Sequence, residues 1–475
     1  VIRVRTSSDG GATWATDPEI EVTASPSPVG SPRILLAADG TRHVFYVGTN
    51  IAGDVHYIIE RVRAIADSSY SALTPQWIRR TSTAGGSIKD LAAKRDRAGN
   101  FYIAWAENID TIDAVLSPAD TVFSWDVLML KGSNAGASWT ASPKICHAFN
   151  TTNQTQPAIA ASESQVVVVM KDDGYLDPST NPITQVTYST STDLGETWAT
   201  EHCIHPTSAS TGANQTDPCI SAHGGANFRA SFINTTAGKQ GDARMVKYSE
   251  FETAANTLLS AVEDAANTRA RPVAASLNDA EMHAFWIDEN NLASGAAILT
   301  YAINAGGTAQ PAATVSTAIN LNTKSMDAAM SALGRTAHLA WLQKKGATGG
   351  TIRYARRSLD LAAPTGLTVT DDGATQYQVD TLRASWTATD PSGIRSYSYR
   401  VLERLGNGVN TVIRDWADAG TATSVTVSFG GTLKDGYTYT FQVKATDNAF
   451  NTTVESAANA YSDGITIDLG LPTKV

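Results

Sequence analysis

The stretch RPVAASLNDAEMHAFW, from Arg271 to Trp286, is an apolar strand, a short polar turn and a second apolar strand that closes on a large aromatic. Alone it reads as a β-hairpin. Five other stretches repeat it: SPRILLAADGTRHVFY (Ser31 to Tyr46), KDLAAKRDRAGNFYIAW (Lys89 to Trp105), QPAIAASESQVVVVM (Gln156 to Met170), DPCISAHGGANFRASF (Asp217 to Phe232) and MDAAMSALGRTAHLAW (Met326 to Trp341). The distance from the opening Pro or Asp to the closing residue is 13 to 15 positions in every copy. One such hairpin cannot bury its apolar side alone, so the copies are expected to stack as the inner hairpins of β-propeller blades. Tyr46, Trp105, Met170, Phe232, Trp286 and Trp341 would then pack between neighbouring blades as core.

A third strand follows each hairpin, and three of them run into a turn of one type: SSDGGATW (Ser7 to Trp14), SNAGASW (Ser133 to Trp139) and STDLGETW (Ser191 to Trp198). The short acid can accept N–H groups of its own turn, the glycine supplies positive φ, and the Trp plugs the blade edge. These turns resemble the Asp-box of the sialidase and related propeller families, with Asn134 where Asp is usual. The resemblance implies that Asp9, Gly11, Trp14, Asn134, Gly136, Trp139, Asp193, Gly195 and Trp198 are structural and lie on the face opposite the family's ligand site. NAGGTAQP, from Asn304, is a degenerate relic of the same turn. The strands number one more than six four-stranded blades hold. The expectation is six blades, with TIRYARRS (Thr351 to Ser358) as a spare strand or linker; seven fit if residues precede Val1.

After about Asp360 the pattern changes, and residues 364–475 form a second module. Pro364, Leu367, Trp386, Tyr397 and Tyr399, with the alternating Tyr437, Tyr439, Phe441 and Val443, resemble the fibronectin type III β-sandwich. The fold class expected is therefore all-β, a propeller over 1–360 followed by a sandwich.

Composition agrees: of 475 residues 42% are hydrophobic, 17% charged and 36 are Gly, as in a turn-rich β protein. Net charge is -10 and no basic stripe interleaves aromatics, which argues against a nucleic-acid partner. No apolar run is long enough for a membrane helix. The chain opens at Val1 without a leader, so a processed, trimmed or incomplete start is expected; a secreted or cell-surface location is a separate expectation. Three cysteines are too few for a disulfide framework; Cys203 and Cys219 are the pair nearest in sequence, and a bridge between them is left open. Sequons at Asn150, Asn153, Asn214, Asn234 and Asn451 matter only if the source glycosylates them.

In the family resembled, ligands sit at the centre of the face formed by loops entering the first strands. That places Lys89, Asp90, Gln156, Asp217, Arg269, Arg271 and Asp327 on the ligand-binding face, with the loops 107–120 and 171–181 as walls. A sialidase needs three arginines on a carboxylate, a Tyr–Glu nucleophile pair and an Asp. Arg33, Arg269 and Arg271 are the candidate arginines, but no Tyr–Glu pair is found; surface or inter-blade ion pairs are the preferred reading of these arginines. Asp172, Asp173 and Asp177 share a Gly- and Pro-containing loop and are candidate Ca²⁺ ligands, with solvated acids the preferred reading. No zinc-ligand spacing, phosphate loop or nucleophile elbow occurs. The expectation is a non-catalytic binding or structural module on a longer surface protein, with a glycan, a protein or copies of itself as partner; the alternative is a sialidase-like glycoside hydrolase. Edge strands of the second module and Thr351 to Ser358 are the candidate self-assembly surfaces.

Overall fold

The computed structural model describes residues 2, 4–7, 13–16, 27–28, 32–49, 56–67, 76–80, 87–108, 125–133, 135–140, 142–146, 152–176, 182–205, 213–223, 227–236, 241–253, 257–258, 269–278, 281–288, 296–303, 309–319, 326–331, 336–345, 349–358, 360, 362–448 and 451–470. Apart from two single 3-10 turns at Tyr248–Glu250 and Ala458–Ala460, every regular element in them is a strand. The protein is all-β. It divides into two compact units, Val1–Ala329 with His338–Ala355, and Met330–Ala337 with Arg356–Val475.

In the first unit, antiparallel sheets follow one another along the chain, each a meander in sequence order. The second sheet, for example, runs Ser87–Arg95, Phe101–Asn108, Trp125–Ser133 and Ser138–Trp139. The second strands Arg42–Thr49, Phe101–Asn108 and Phe228–Thr235 are buried along nearly their whole length, so both of their faces are covered. What covers them is the neighbouring sheet. Phe45 and Ile58 of the first sheet share a core with Trp105 and Leu128 of the second. Met129 of the second meets Met170 of the third, Val169 meets Phe232 of the fourth, and Met245 meets Trp286 of the fifth. All six closing residues are buried. Sheets stacked face to face with their first strands gathered round one pocket make a β-propeller.

The turn after the third strand of the third sheet shows how its residue types work. Asp193 Oδ1 accepts the N–H groups of Glu196 at 3.0 Å and Thr197 at 2.9 Å, and Oδ2 accepts the Thr197 hydroxyl at 2.6 Å. These hydrogen bonds, led by the Thr197 hydroxyl, hold the carboxyl far below the usual range. Gly195 takes φ +101°. In the second sheet Trp139 lies against Gly132 and its Nε1 donates to Glu60 of the first sheet at 3.3 Å; Glu60 is buried and accepts from or shares a proton with His43 Nδ1 at 2.7 Å. Asp9, Gly11 and Asn134 lie outside the described residues.

Two expectations are corrected and one open pairing is decided. Thr351 to Ser358 is no spare: it belongs to Gly349–Ser358, third strand of a sheet with Met326–Ser331 and Thr336–Lys345. Its Tyr354 hydroxyl is 2.6 Å from His338 Nδ1, and Trp14 packs edge-on against the Tyr354 ring at 5.0 Å. The N-terminal segment also supplies Ile2 and Val4 to the core of Val44, Tyr46 and Ile59, so it touches the first and the last sheet alike. Secondly, all three thiols are free. Cys203 sits on the outermost strand of the third sheet and Cys219 on the innermost of the fourth. Thirdly, half of the expected loop 171–181 is strand, because Val166–Leu176 continues until Leu176 pairs with Pro182.

The second unit contains a three-stranded and a five-stranded sheet. Leu382, Ala384, Trp386 and Val427 of one meet Tyr399, Val401, Tyr439 and Phe441 of the other in a single core. Trp386 Nε1 donates to Ala422 O at 3.0 Å, which satisfies its buried polar atom.

The Trp14–Tyr354 contact joins the two ends of the propeller chain, and an edge-on aromatic pair contributes about 0.5–1.5 kcal/mol beyond area burial. In a double-mutant cycle of Trp14→Ala and Tyr354→Ala read by thermal unfolding, coupling of that size is expected; additive effects would show that the ends are not joined there.

Candidate functional site

Four of the first strands break register at the same place: between Lys89 and Ala92, Thr155 and Ala158, Thr216 and Cys219, and Ala270 and Val273. Each break is a β-bulge, and the bulged residue has positive φ without being glycine: Asp90 at 56°, Gln156 at 52°, Asp217 at 52° and Arg271 at 50°. An L-residue in this region costs on the order of 1–2 kcal/mol, and such residues gather at functional sites. A bulge re-aims a side chain. Here all four residues line one pocket of about 460 Å³.

Two of the bulges also bind sheet to sheet. Asp90 Oδ2 accepts the N–H of Gln156 at 3.2 Å, and Asp217 Oδ2 accepts that of Arg271 at 3.0 Å. Each carboxylate thereby steadies the next sheet's strained residue. Asp327 lines the same pocket from the sixth sheet and accepts the N–H of Ala328 at 2.9 Å. The second, fourth and sixth sheets thus bring Asp90, Asp217 and Asp327, and the first, third and fifth bring Arg33, Gln156 and Arg271.

Lys89 and Lys94 complete the charged lining. Lys89 Nζ stands 3.7 Å above the Trp125 ring, and burial lowers its pKa. Arg33 Nη1 donates to Pro32 O at 3.3 Å. Among the described residues none of Arg33, Lys89, Lys94 and Arg271 makes an ion pair, which corrects the ion-pair reading of Arg33 and Arg271. The acids that could have paired with them are turned to backbone N–H groups instead.

Of the residues expected on this face, Lys89, Asp90, Gln156, Asp217, Arg271 and Asp327 come together, with Arg33. The side chain of Arg269 lies outside the described residues. Its strand position matches Gln154 and Gln215, which are buried staples: Gln154 Nε2 donates to Asp172 at 3.0 Å, and Gln215 Oε1 accepts the N–H of Val186 at 3.0 Å. No Tyr or Glu is among the described residues lining the pocket. A Tyr–Glu pair exists elsewhere: the Tyr188 hydroxyl donates to Glu252, with Phe251 packed 4.9 Å from the Tyr188 ring. Burial and Glu252 push this hydroxyl above the ordinary tyrosine range, the opposite of an activated nucleophile.

The bulges and Lys94 were missed from sequence. A signal existed in the runs NQTQP (Asn153 to Pro157), NQTDP (Asn214 to Pro218) and TRARP (Thr268 to Pro272), which set the bulged residue before Pro. Tyr188 and Glu252, 64 residues apart, carry no motif.

The candidate Ca²⁺ ligands separate. Asp172 is buried on Gln154 and the N–H of Gly174, whereas Asp173 pairs with Lys171 at 3.0 Å and Thr184 at 3.1 Å; Asp177 lies outside the described residues. Among the described residues, acids with metal-ligand spacing occur instead in the second unit, at Asp360, Asp390 and Asp447, within 4.8 Å of one another. Their carboxylates accept the N–H groups of Ala362, Ser392 and Asn451.

No family model and no curated protein matches the chain. Solved structures similar to it include a protein of unknown function from Dyadobacter fermentans (TM-score 0.45, 13% identity, covering 69% of this chain and 94% of that one). A Penicillium chrysogenum α-L-arabinanase complexed with arabinobiose gives TM-score 0.43 at 10% identity over 72% and 96%. The Trypanosoma rangeli sialidase gives 0.41 at 10% over 96% and 90%. At TM-scores this low the likenesses carry no functional argument.

Beside Asp172, burial pushes Glu201 up to about 8, with the neighbouring Asp172 carboxylate adding to the rise. A raised acid pKa favours the neutral folded form, so this stabilisation is complete below the unfolded value near 4.5 and is lost as pH rises through about 8. The unfolding midpoint of the wild-type chain is expected to fall between these pH values, and Glu201→Gln to flatten the fall; an unchanged profile in the variant would assign the slope to another group.

Proposed function

We propose that the chain is a non-catalytic extracellular binding module, with a glycan held in the axial pocket. In this reading the propeller is a six-bladed member of the Asp-box class, presented at the cell surface or in secretion. The second unit is a fibronectin type III-like spacer within a longer surface protein. The observation that carries the reading is the disposition of the pocket's acids: all three accept backbone N–H groups, two of them across a sheet boundary. Glycoside hydrolysis needs one carboxyl free to give a proton and a second group free to attack or to activate water. Asp90 and Asp217 are fixed to strained backbone, and the described lining supplies no Tyr or Glu in their stead.

What the pocket offers is a rigid concave wall with cations pointing into it, which suits recognition of a polar ligand by pre-set groups. The runner-up, a sialidase-like hydrolase, keeps Arg33 and Arg271 as its support. The chain incubated with a fluorogenic sialoside is expected to release no fluorophore above the buffer rate, while binding on a glycan array is weakened by Arg271→Ala. Turnover abolished by that substitution would reverse the assignment.

A further inference from the structure

Register places the pocket's cations at successive depths. Lys89 lies just before the bulge of its strand, and Arg271 occupies the bulge of the fifth sheet. Arg33 pairs with Phe45, one position before the closing Tyr46, as Ala92 pairs with Ala104 before Trp105. Arg33 therefore stands one row beyond the bulges. Lys94, opposite Tyr102, is two residues further along. At about 3.3 Å per residue the lining from Lys89 to Lys94 is on the order of 15 Å long, more than one sugar ring occupies.

Among the described residues these four cations make no ion pair, although Asp90, Asp217 and Asp327 share the lining and Asp90 and Asp173 attract Lys89. The three aspartates of the lining each accept a backbone N–H, so the donors of the four cations are left for a ligand to take up. A single carboxylate occupies one bidentate guanidinium or two donors; it cannot reach from the bulge row to Lys94.

Resting on the axial-pocket reading above, we propose that the ligand is a linear glycan carrying repeated anionic groups. It lies along the axis, so that Lys89 and Arg271 hold one group near the bulges and Arg33 and Lys94 hold another deeper in. Lys94 is then the residue that distinguishes a polyanionic chain from a singly charged sugar.

The test is titration calorimetry of the full chain with three defined probes: a sulfated heparin-type hexasaccharide, an oligogalacturonate hexamer and neutral maltohexaose, each at low and at physiological salt. At least one anionic hexamer is expected to bind with salt-sensitive affinity and maltohexaose not to bind. Lys94→Met, which keeps the apolar stem, and Arg271→Ala are each expected to weaken that binding about tenfold, with thermal melts confirming that both variants fold. Equal, salt-insensitive binding of maltohexaose would overturn the polyanion while leaving the glycan pocket standing. Loss in Arg271→Ala with no change in Lys94→Met would overturn the arrangement in depth. Binding of an anionic hexamer that neither variant alters would remove the axial pocket itself.

Discussion

A strand that is apolar on both faces cannot stand at the edge of a sheet stack, and this constraint organises the first unit. The second strands, such as Phe101–Asn108, need a neighbour on each side. Each sheet supplies one side and receives the other, so the stack is stable only as it closes. Trp14 on Tyr354, with Ile2 and Val4 on the first sheet, is where that closure is made. Closure gathers the described first strands around one pocket. The bulges at Asp90, Gln156, Asp217 and Arg271 each add a residue there and turn its side chain. At Gln156 and Arg271 the strained residue's N–H is held by an aspartate of the neighbouring sheet.

The site's electrostatics follow from the same geometry. An aspartate at a bulge is near the next bulge's N–H, so it binds backbone and not the cations across the pocket. Among the described residues the cations of the intervening sheets and of the second sheet's first strand share the pocket with these acids without forming an ion pair. The turns after the third strands are occupied locally: Asp193 spends its carboxylate on its own turn, and Trp139 is tied to Glu60.

Much of this was legible in the sequence because hairpins with a fixed closing residue state their own burial. Tyr46, Trp105 and Trp286 could be placed in the core from spacing alone. Lys89, Asp217 and Arg271 could be set on one face because the strand starts are in register. What spacing could not show was backbone sign: nothing in Gln156 or Arg271 as residue types announces positive φ, and only the following Pro in three aligned runs hinted at a shared irregularity. Arg269 was grouped with Arg271 because both lie where the chain enters the first strand of its repeat, and the bulge between Ala270 and Val273 was not visible in that spacing. Cys203 and Cys219 are near in sequence but belong to the outer and inner strands of different sheets, a separation visible only after the sheets are assembled.

The central claim is that the ligand lies along the propeller axis. The most direct measurement is a crystal structure of the chain with a sulfated hexasaccharide bound. The account predicts sugar density running from beside Arg271 towards Lys94, with sulfate groups against both. Density confined to the outer strands or to the second unit, with the axis holding only water, would contradict it.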